Sequence, residues 1–296
     1  MPVGSWPEDV VFNAGDGRLY VADECSATVS VLDPNAGRGL THITLETRAR
    51  HLAVDPRRNL LYVPNEGSRK VQVYDLSYLT LVGTFPTGDQ PHGIAVDPDR
   101  NLVYVGNEGE ATVSLVRGDG FRPVARLPVG AGPGGVAVDR RTGRGLVVSV
   151  KENKVTVIDG MSGSVLGDVA VGRGPTHIGA DSRHGRVYVL NTEENTVSVI
   201  DTGSLRVVAT LPVGNYPIGV AVDEQTGKVY VQNNRDNTVS VLDGGQLRIV
   251  GVMRTPRNVS SLAIDSAAQR LFLAMKSDNR VGVAPLALKS SVVIWS

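Results

Sequence analysis

The sequence predicts an all-β protein, a seven-bladed β-propeller with four antiparallel strands in each blade. Two observations predict this fold: a 42-residue repeat, and four short apolar runs within each repeat. The clearest column of the repeat closes an apolar run with Asn or Asp, and it consists of Asn13, Asp55, Asp97, Asp139, Asp181, Asp223 and Asp265. A repeat of about this length with four strands is typical of propeller blades.

Seven units of 42 residues account for 294 of the 296 residues, which predicts one domain over residues 1–296. The predicted blades cover approximately residues 7–48, 49–90, 91–132, 133–174, 175–216, 217–258 and 259–296.

The four apolar runs, named strands A to D in chain order, are clearest between Pro91 and Gly130. They read PHGIAVD, NLVYVGN, ATVSLV and PVARLPVG, and Gly, Pro, Asp and Asn separate them. Runs rich in Val, Ile, Leu and Tyr between turn-forming residues are typical of strands. One column of strand C is Val in every repeat: Val29, Val71, Val113, Val155, Val197, Val239 and Val281. We expect this column to pack between neighbouring blades.

Strand A has small residues two positions before the reference column, in all but the first repeat: Ala53, Ala95, Ala137, Gly179, Ala221 and Ala263. Small side chains suit the crowded inner strand of a blade, so strand A is predicted to line the axis. Blade 7 is predicted to end with its own strand D at Val292 to Trp295. The ring is then expected to close by packing of blade 7 on blade 1, latched by residues 1–6.

Four repeats end strand B with Tyr-Val-x-Asn, at residues 62–65, 104–107, 188–191 and 230–233. Together with Thr-Val-Ser-Val-Ile/Leu-Asp in strand C and Leu-Pro-Val-Gly before strand A, this pattern closely resembles the YVTN-repeat propeller family over essentially the whole chain. Blades 1, 4 and 7 depart from it at Asp23, Leu146 to Ser149 and Phe272 to Met275. The resemblance implies the fold but no single activity, since the family includes binding proteins and surface proteins.

Composition narrows the possible partners. Lys plus Arg and Asp plus Glu number 30 each, so no overall field attracts nucleic acid or anionic lipid. No apolar run is long enough for a membrane helix, and the first ten residues lack an apolar signal core. We therefore expect a cytoplasmic protein that binds neither nucleic acid nor membrane; a removed leader would instead make it an exported one. A protein partner stays possible.

Strand directions predict that the D–A and B–C loops share one face of the ring, named here the upper pole. The A–B and C–D turns share the other face, the lower pole. At the upper pole, His51, His92 and His177 stand where strand A begins, and His51 and His177 occupy a register that is Gly in three of the other five blades. Glu24, Glu66 and Glu108 follow strand B in blades 1 to 3, as the sequence shows.

Imidazoles and carboxylates that converge on one opening suit a divalent metal ion with open coordination positions. The predicted ligands are His51, His92, His177 and Glu108, with Glu66 as an alternative ligand or general base. Solvated loop charge for the Glu residues, and turn capping for the Asn residues that end strand B, are the simpler interpretations.

Several further residues complete the predicted site. Cys25 follows Glu24 and is expected near His51, where a thiol and an imidazole would form a nucleophile–base pair; an unpaired loop cysteine is the alternative. Trp6 and Tyr216 share one register and are predicted to form aromatic walls. Glu24, Asn191 and Arg235 are the remaining predicted ligand-binding residues.

The favoured function is small-molecule binding with a metal-assisted lyase or hydrolase step, with His51, Glu66 and Cys25 as the catalytic candidates. Similarity to propeller lyases and lactonases, which act from this pole with a divalent ion, implies the reaction class only by analogy. The alternative is a non-catalytic scaffold that binds a protein or a polymer. A deep axial pocket with inward imidazoles favours the first, and an exposed apolar patch on the rim favours the second.

Overall fold

The computed structural model describes residues 1–286, which form a closed ring of seven antiparallel sheets, one for each repeat. Strands are numbered in chain order. Blade 1 contains β1 (Pro7–Asn13), β2 (Arg18–Asp23), β3 (Thr28–Asp33) and β4 (Arg38–Thr44). Blade 2 contains β5 (Ala53–Asp55), β6 (Leu60–Asn65), β7 (Lys70–Asp75) and β8 (Thr80–Pro86). Blade 3 contains β9 (Pro91–Asp97), β10 (Leu102–Asn107), β11 (Thr112–Arg117) and β12 (Arg122–Pro128).

The other blades repeat the plan. Blade 4 contains β13 (Pro133–Asp139), β14 (Arg144–Ser149), β15 (Lys154–Asp159) and β16 (Ser164–Ala170). Blade 5 contains β17 (Pro175–Asp181), β18 (Arg186–Asn191), β19 (Thr196–Asp201) and β20 (Arg206–Pro212). Blade 6 contains β21 (Pro217–Asp223), β22 (Lys228–Asn233), β23 (Thr238–Asp243) and β24 (Arg248–Arg254). Blade 7 contains β25 (Val259–Asp265), β26 (Arg270–Met275) and β27 (Arg280–Pro285). The prediction of a seven-bladed propeller is confirmed.

The core lies between the sheets. Every valine of the strand C column is fully buried, and each hydrophobic cluster joins side chains of two neighbouring blades. One cluster combines Val10 and Val21 of blade 1 with Phe272 and Val281 of blade 7, so these two blades pack face to face. Burial of this kind is the main stabilising contribution in a fold built from repeated sheets.

The first residues of the chain hold the ring closed. Pro2 pairs with Arg280 of β27, and the Val281 amide donates a hydrogen bond of 2.8 Å to the Met1 carbonyl. The Gly4 amide then donates to Ser30 Oγ of blade 1 at 3.1 Å. Residues 1–4 therefore bridge blades 7 and 1, as the expected latch requires. The predicted strand at Val292 to Trp295 lies outside the described residues.

Turns at the lower pole follow from the reference column. Asp97 Oδ1 accepts hydrogen bonds from the amides of Asp99 (3.0 Å) and Arg100 (3.1 Å), and Asp55 bonds its own turn in the same way. Asp is favoured at such positions because its side chain bonds the backbone two or three residues further on. Within residues 1–286, no helix has the length and apolar character needed to cross a membrane.

Blade 2 differs from the others at its inner strand. β5 has three residues, whereas each of the other six inner strands has seven. His51 and Leu52 lie in the irregular segment that replaces the first half of this strand. His51 nevertheless occupies the register that His177 has in the regular inner strand of blade 5.

Candidate functional site at the upper pole

The D–A and B–C loops gather at the upper pole, as predicted from the strand directions. In blade after blade, an amide of the B–C loop donates to a carbonyl of the D–A loop, for example Glu24 to Trp6 and Asn234 to Tyr216, both at 3.0 Å. These bonds fix the loops that surround the axial opening.

One ring of residues lies just inside this opening. It is the column four positions before the reference column, named here the axial ring, and it consists of Asp9, His51, Gly93, Gly135, His177, Gly219 and Ser261. The sequence interpretation identified His51 and His177 in this register but missed Asp9 and Ser261. The sequence contains a signal for these two residues, since each replaces the Gly that three blades have in this column.

Asp9 is the most strongly held member of the axial ring. Its Oδ1 accepts a hydrogen bond of 2.6 Å from Ser261 Oγ, and its Oδ2 accepts one of 3.0 Å from the Leu52 amide. His51 Nδ1 lies 3.8 Å from Asp9 Oδ2. Burial alone would raise the pKa of Asp9, but its interactions with His51, Ser261 and Leu52 hold that pKa below its usual range. Asp9 is therefore an ionised carboxylate directed at the His51 imidazole.

The three histidines come together in one cluster. The ring centroids of His51 and His92 are 4.4 Å apart, and those of His51 and His177 are 6.1 Å apart. Burial, followed by the proximity of His51, lowers the pKa of His92 to about 3 and that of His177 to about 4. Both rings are therefore neutral at neutral pH, and the Nδ1 atom of each is buried without a hydrogen-bond partner.

Glycine explains how residues three blades apart can meet. A Cβ atom at Gly93 would lie 2.1 Å from the Gly134 carbonyl oxygen, and one at Gly135 would lie 3.0 Å from His177 Cα. Neither position has room for a side chain, so the inner strands of blades 3, 4 and 5 pack closely. The gap between His51 and His177 is correspondingly narrow.

Two of the glutamates that follow strand B, Glu24 and Glu66, lie beside an arginine. Arg50 Nε lies 3.0 Å from Glu24 Oε1 and 3.8 Å from Glu66 Oε1. Burial raises the pKa of Glu66, although Arg50 and His51 act in the opposite direction. Glu24, predicted to bind a ligand, is thus engaged by Arg50. Sequence reasoning overlooked Arg50, which occupies the same register as His92.

The described residues do not form a metal centre of the expected kind. Within residues 1–286, no group of three or more His, Cys, Asp and Glu side chains has an arrangement that could hold a metal ion. Glu108 lies close enough to Glu66 to raise its pKa electrostatically. The metal, with His51, His92, His177 and Glu108 as its ligands, stays a prediction.

Cys25 lies in a surface turn of the first B–C loop. It belongs to the 3₁₀ turn Glu24–Ser26, it is exposed, and its amide donates to the Ser5 carbonyl at 3.1 Å. In the part of the chain that the structure describes, its thiol forms no hydrogen bond with an imidazole. The nucleophile–base pair of Cys25 and His51 stays a prediction.

Asn191 is also placed away from the opening. It is fully buried, and its Nδ2 donates to Thr196 Oγ1 (3.0 Å) and Ser198 Oγ (2.9 Å) within its own blade. Asn107 and Asn233 make the corresponding bonds. Turn capping, the simpler interpretation of this column, is therefore correct for Asn191.

Trp6 and Tyr216 occupy a register where the backbone is left-handed. Their φ angles are 60° and 58°, and the equivalent Gly132 and Gly174 have 66° and 59°. Such a conformation costs a residue other than glycine about 1–2 kcal/mol. The Arg235 guanidinium carbon lies 4.3 Å from the Tyr216 ring centroid, and Lys276 Nζ lies 5.8 Å from that of Trp6.

A cavity of about 500 Å³ opens beside the axial ring. Its lining includes the polar side chains of Asp9, His51, His177 and Ser261, together with Tyr216 and apolar side chains of blades 5 to 7. Tyr216 therefore lines the predicted pocket, whereas Trp6 is not among the lining residues. A cavity of this size with a few convergent polar groups is typical of small-molecule sites.

Comparison with known proteins supports the seven-bladed propeller fold. Residues 1–121 match the family model "Lactonase, 7-bladed beta-propeller". A solved structure described as Kuenenia stuttgartiensis Hydrazine Synthase is similar with a TM-score of 0.81, 20% sequence identity and coverage of 96% of each chain. No curated protein sequence matches the chain. The structural likeness shows the propeller fold, and the lactonase likeness covers the part that contains Asp9, His51 and His92.

Proposed function

We propose that the upper pole binds a small ester or lactone and hydrolyses it with His51 as the general base. The observation that carries this proposal is the chain of contacts from Ser261 through Asp9 to His51, beside a cavity of about 500 Å³. A carboxylate at one ring nitrogen of a histidine orients the imidazole and stabilises its protonated form.

The roles follow from the direction of the hydrogen bonds. Ser261 donates its hydroxyl proton to Asp9, so it orients the carboxylate and is not placed as a nucleophile. Asp9 in turn favours a proton on His51 Nδ1, which leaves Nε2 free to accept one from water. This assignment differs from the sequence-based candidates, because it uses Asp9 in place of Glu66 and Cys25.

In the proposed hydrolysis, His51 acts first as a base and then as an acid. His51 accepts a proton from a water molecule as the water oxygen bonds to the carbonyl carbon of the substrate. Collapse of the tetrahedral intermediate then breaks the bond between that carbon and the leaving oxygen. Protonated His51 returns its proton to this oxygen, so the products are a carboxylic acid and an alcohol. Neutral His177, across the cavity, is available to hydrogen-bond the substrate.

The family likeness supports the reaction class. The matched model is named for a lactonase, and a lactone is a cyclic ester cleaved by the same attack of water. The match covers residues 1–121 and does not reach His177, Tyr216 or Ser261. The lactone is therefore proposed as a substrate class and not as a particular compound.

A divalent metal ion remains part of the prediction for this pole, and no step is routed through it. Elemental analysis of the purified protein tests it directly. The metal prediction requires about one ion per chain, lost in the His51→Ala, His177→Ala double variant. A metal content below one tenth per chain after incubation with Zn²⁺, Mn²⁺ or Ni²⁺ would reject it.

The scaffold alternative has less support. Exposed apolar side chains on the described outer strands, such as Val124, Val208 and Val252, occur one or two per blade in blades 1 to 6. Single exposed residues of this kind are normal on a soluble surface and do not mark an interface. The imidazoles at the axial cavity match the feature expected of a ligand site.

Hydrolysis of δ-valerolactone, followed by proton release at constant pH, tests the proposal. Wild-type protein should hydrolyse it faster than buffer alone, and His51→Ala should lose this excess. The control is His184→Ala, which changes a histidine bonded to Asp181 at the lower pole. Equal rates for wild type and His51→Ala, for this lactone and for phenyl acetate, would contradict the proposal.

A further inference from the structure

We infer that the cavity of the upper pole selects a ligand with a planar, unsaturated ring, and that the Tyr216 side chain is the residue that selects it. This inference rests on the proposed function only in that both use the same cavity. It adds a substrate class: aryl esters and aryl-fused lactones.

The cavity is lined by polar and by apolar side chains. Asp9, His51, His177 and Ser261 are among the polar ones, and Tyr216, Ile218 and Val220 of blade 6 add an aromatic and aliphatic surface. A ligand whose reacting carbonyl reaches His51 therefore extends its remaining atoms toward an aromatic and aliphatic surface. Such a surface favours an apolar group of the ligand.

Tyr216 is held in place before any ligand arrives. Its amide donates a hydrogen bond of 2.9 Å to Asn195 Oδ1, and its carbonyl accepts one of 3.0 Å from the Asn234 amide. One face of its ring carries the Arg235 guanidinium, 4.3 Å from the centroid. The residue as a whole is 37% exposed. A fixed aromatic surface loses little conformational freedom when it binds a ligand.

The backbone indicates that this aromatic residue is not required by the fold. At the same register, blades 4 and 5 have glycine with the same left-handed φ, and their loops close with the same hydrogen bond. Trp6, Gln90 and Asn258 have the same left-handed φ at this register before blades 1, 3 and 7, so the loop accepts several side chains and does not require an aromatic one.

Arg235 decides which kind of ring is preferred. A cation over one face draws electron density from the tyrosine ring, so the other face attracts a second cation less strongly. An electron-rich planar ring gains from offset stacking on that face, beyond the area it buries. An aryl group is therefore favoured over a quaternary ammonium group or a saturated ring.

A pair of lactams, whose amide bond is much less reactive than that of an ester, separates this inference from the proposed reaction. 3,4-Dihydroquinolin-2-one has a planar aryl ring, and octahydroquinolin-2-one is its saturated counterpart. Their dissociation constants, measured by ligand-observed NMR titration of the full chain, should favour the aryl lactam by about 3- to 10-fold. The Tyr216→Phe variant should keep this preference, and Tyr216→Leu should lose it.

The matched control is Trp6→Leu, which alters the aromatic residue of the same register outside the cavity and should keep the preference. If Tyr216→Leu does not fold, contacts between the Tyr216 ring protons and the lactam aryl protons of the wild-type complex replace it. Equal binding of the two lactams, no binding of either at 10 mM (roughly the weakest affinity of a useful ligand), or a preference retained in folded Tyr216→Leu would overturn the inference. Aryl-selective binding without any lactone hydrolysis would instead reject the proposed reaction and leave the inference standing.

Discussion

The two poles of the propeller show how differently a repeated chain uses equivalent positions. At the lower pole, Asp55, Asp97 and Asp139 accept the same turn hydrogen bonds in successive blades. At the upper pole, the axial ring has Asp9, His51, His177 and Ser261 at four positions and glycine at the other three. A residue that recurs in its column maintains the fold, whereas a departure with its own partners indicates a site.

The largest effect is expected for His51→Ala. Removing a general base typically lowers the rate 10²- to 10⁴-fold, so kcat/KM for δ-valerolactone should fall by about that factor. The melting temperature should change little, because His51 lies in an irregular segment at the opening. Steady-state kinetics and thermal denaturation of the same preparation check both statements. A variant that loses less than threefold in kcat/KM would remove His51 from the mechanism.

Asp9→Asn tests the positioning of His51. The amide keeps the shape but loses the carboxylate charge that orients the His51 imidazole, so kcat should fall by about 10²-fold while KM changes less. The pH profile of kcat should shift as well, which a purely structural residue would not cause. Ser261→Ala, which removes one donor to Asp9, serves as the milder comparison. An unchanged pH profile with unchanged kcat would contradict the role given to Asp9.

Asp97→Ala is the corresponding test at the lower pole. It removes the acceptor for the Asp99 and Arg100 amides and the ion pair with Arg100 at 3.0 Å. Hydrogen bonds to a buried charged group contribute about 1.5–3 kcal/mol each to stability, so the free energy of unfolding should fall by about 2–3 kcal/mol. Urea denaturation measures this change. Asp33→Ala, in an exposed outer turn, should have a smaller effect.

Gly135→Ala tests the close packing between the inner strands of blades 4 and 5. The added Cβ would lie 3.0 Å from His177 Cα and 3.1 Å from the Ile178 amide nitrogen, so the backbone must shift. Overpacking of this kind typically costs about 1–3 kcal/mol, and lactone hydrolysis should fall with it because His177 is displaced. Gly39→Ala, with 3.7 Å to its nearest neighbour, is the control for urea denaturation and kinetics. Equal stability for the two variants would argue against the close packing.

A graded effect is expected from His177, through the pH dependence of stability. Its pKa is about 4 in the folded protein and 6.5 as the reference value, so below pH 6.5 the unfolded chain binds a proton that the folded one does not. Stability should therefore fall as the pH drops from 6.5 to 4, by at most about 1.4 kcal/mol per pH unit. His177→Asn should reduce this slope, and His42→Asn, on an outer strand, should not. Denaturant titrations across this range measure the slopes, and identical slopes for wild type and His177→Asn would contradict the buried, neutral imidazole.

The sequence predicted the fold almost completely, because seven copies of one pattern reinforce each other. It also placed His51, His92 and His177 at one opening, since strand direction alone determines which loops share a face. The shortened β5 that releases His51 from regular pairing has no clear sequence signal, because the repeat length of blade 2 is unchanged.

Other features of the site required side-chain positions. Asp9 and Ser261 were visible as departures from glycine, but only their contacts show that one orients the other. Arg50 partly neutralises the carboxylates that follow strand B, because its guanidinium lies between Glu24 and Glu66. Charge compensation of this kind depends on distances that spacing along the chain does not give.

The most direct test of the account compares His51→Ala and Asp97→Ala in the same two assays, lactone hydrolysis and urea denaturation. The account predicts that His51→Ala loses turnover and keeps its stability, whereas Asp97→Ala loses stability and keeps its turnover while folded. If both variants lose turnover and stability in the same proportion, the two poles do not have separate roles and the proposed site is wrong.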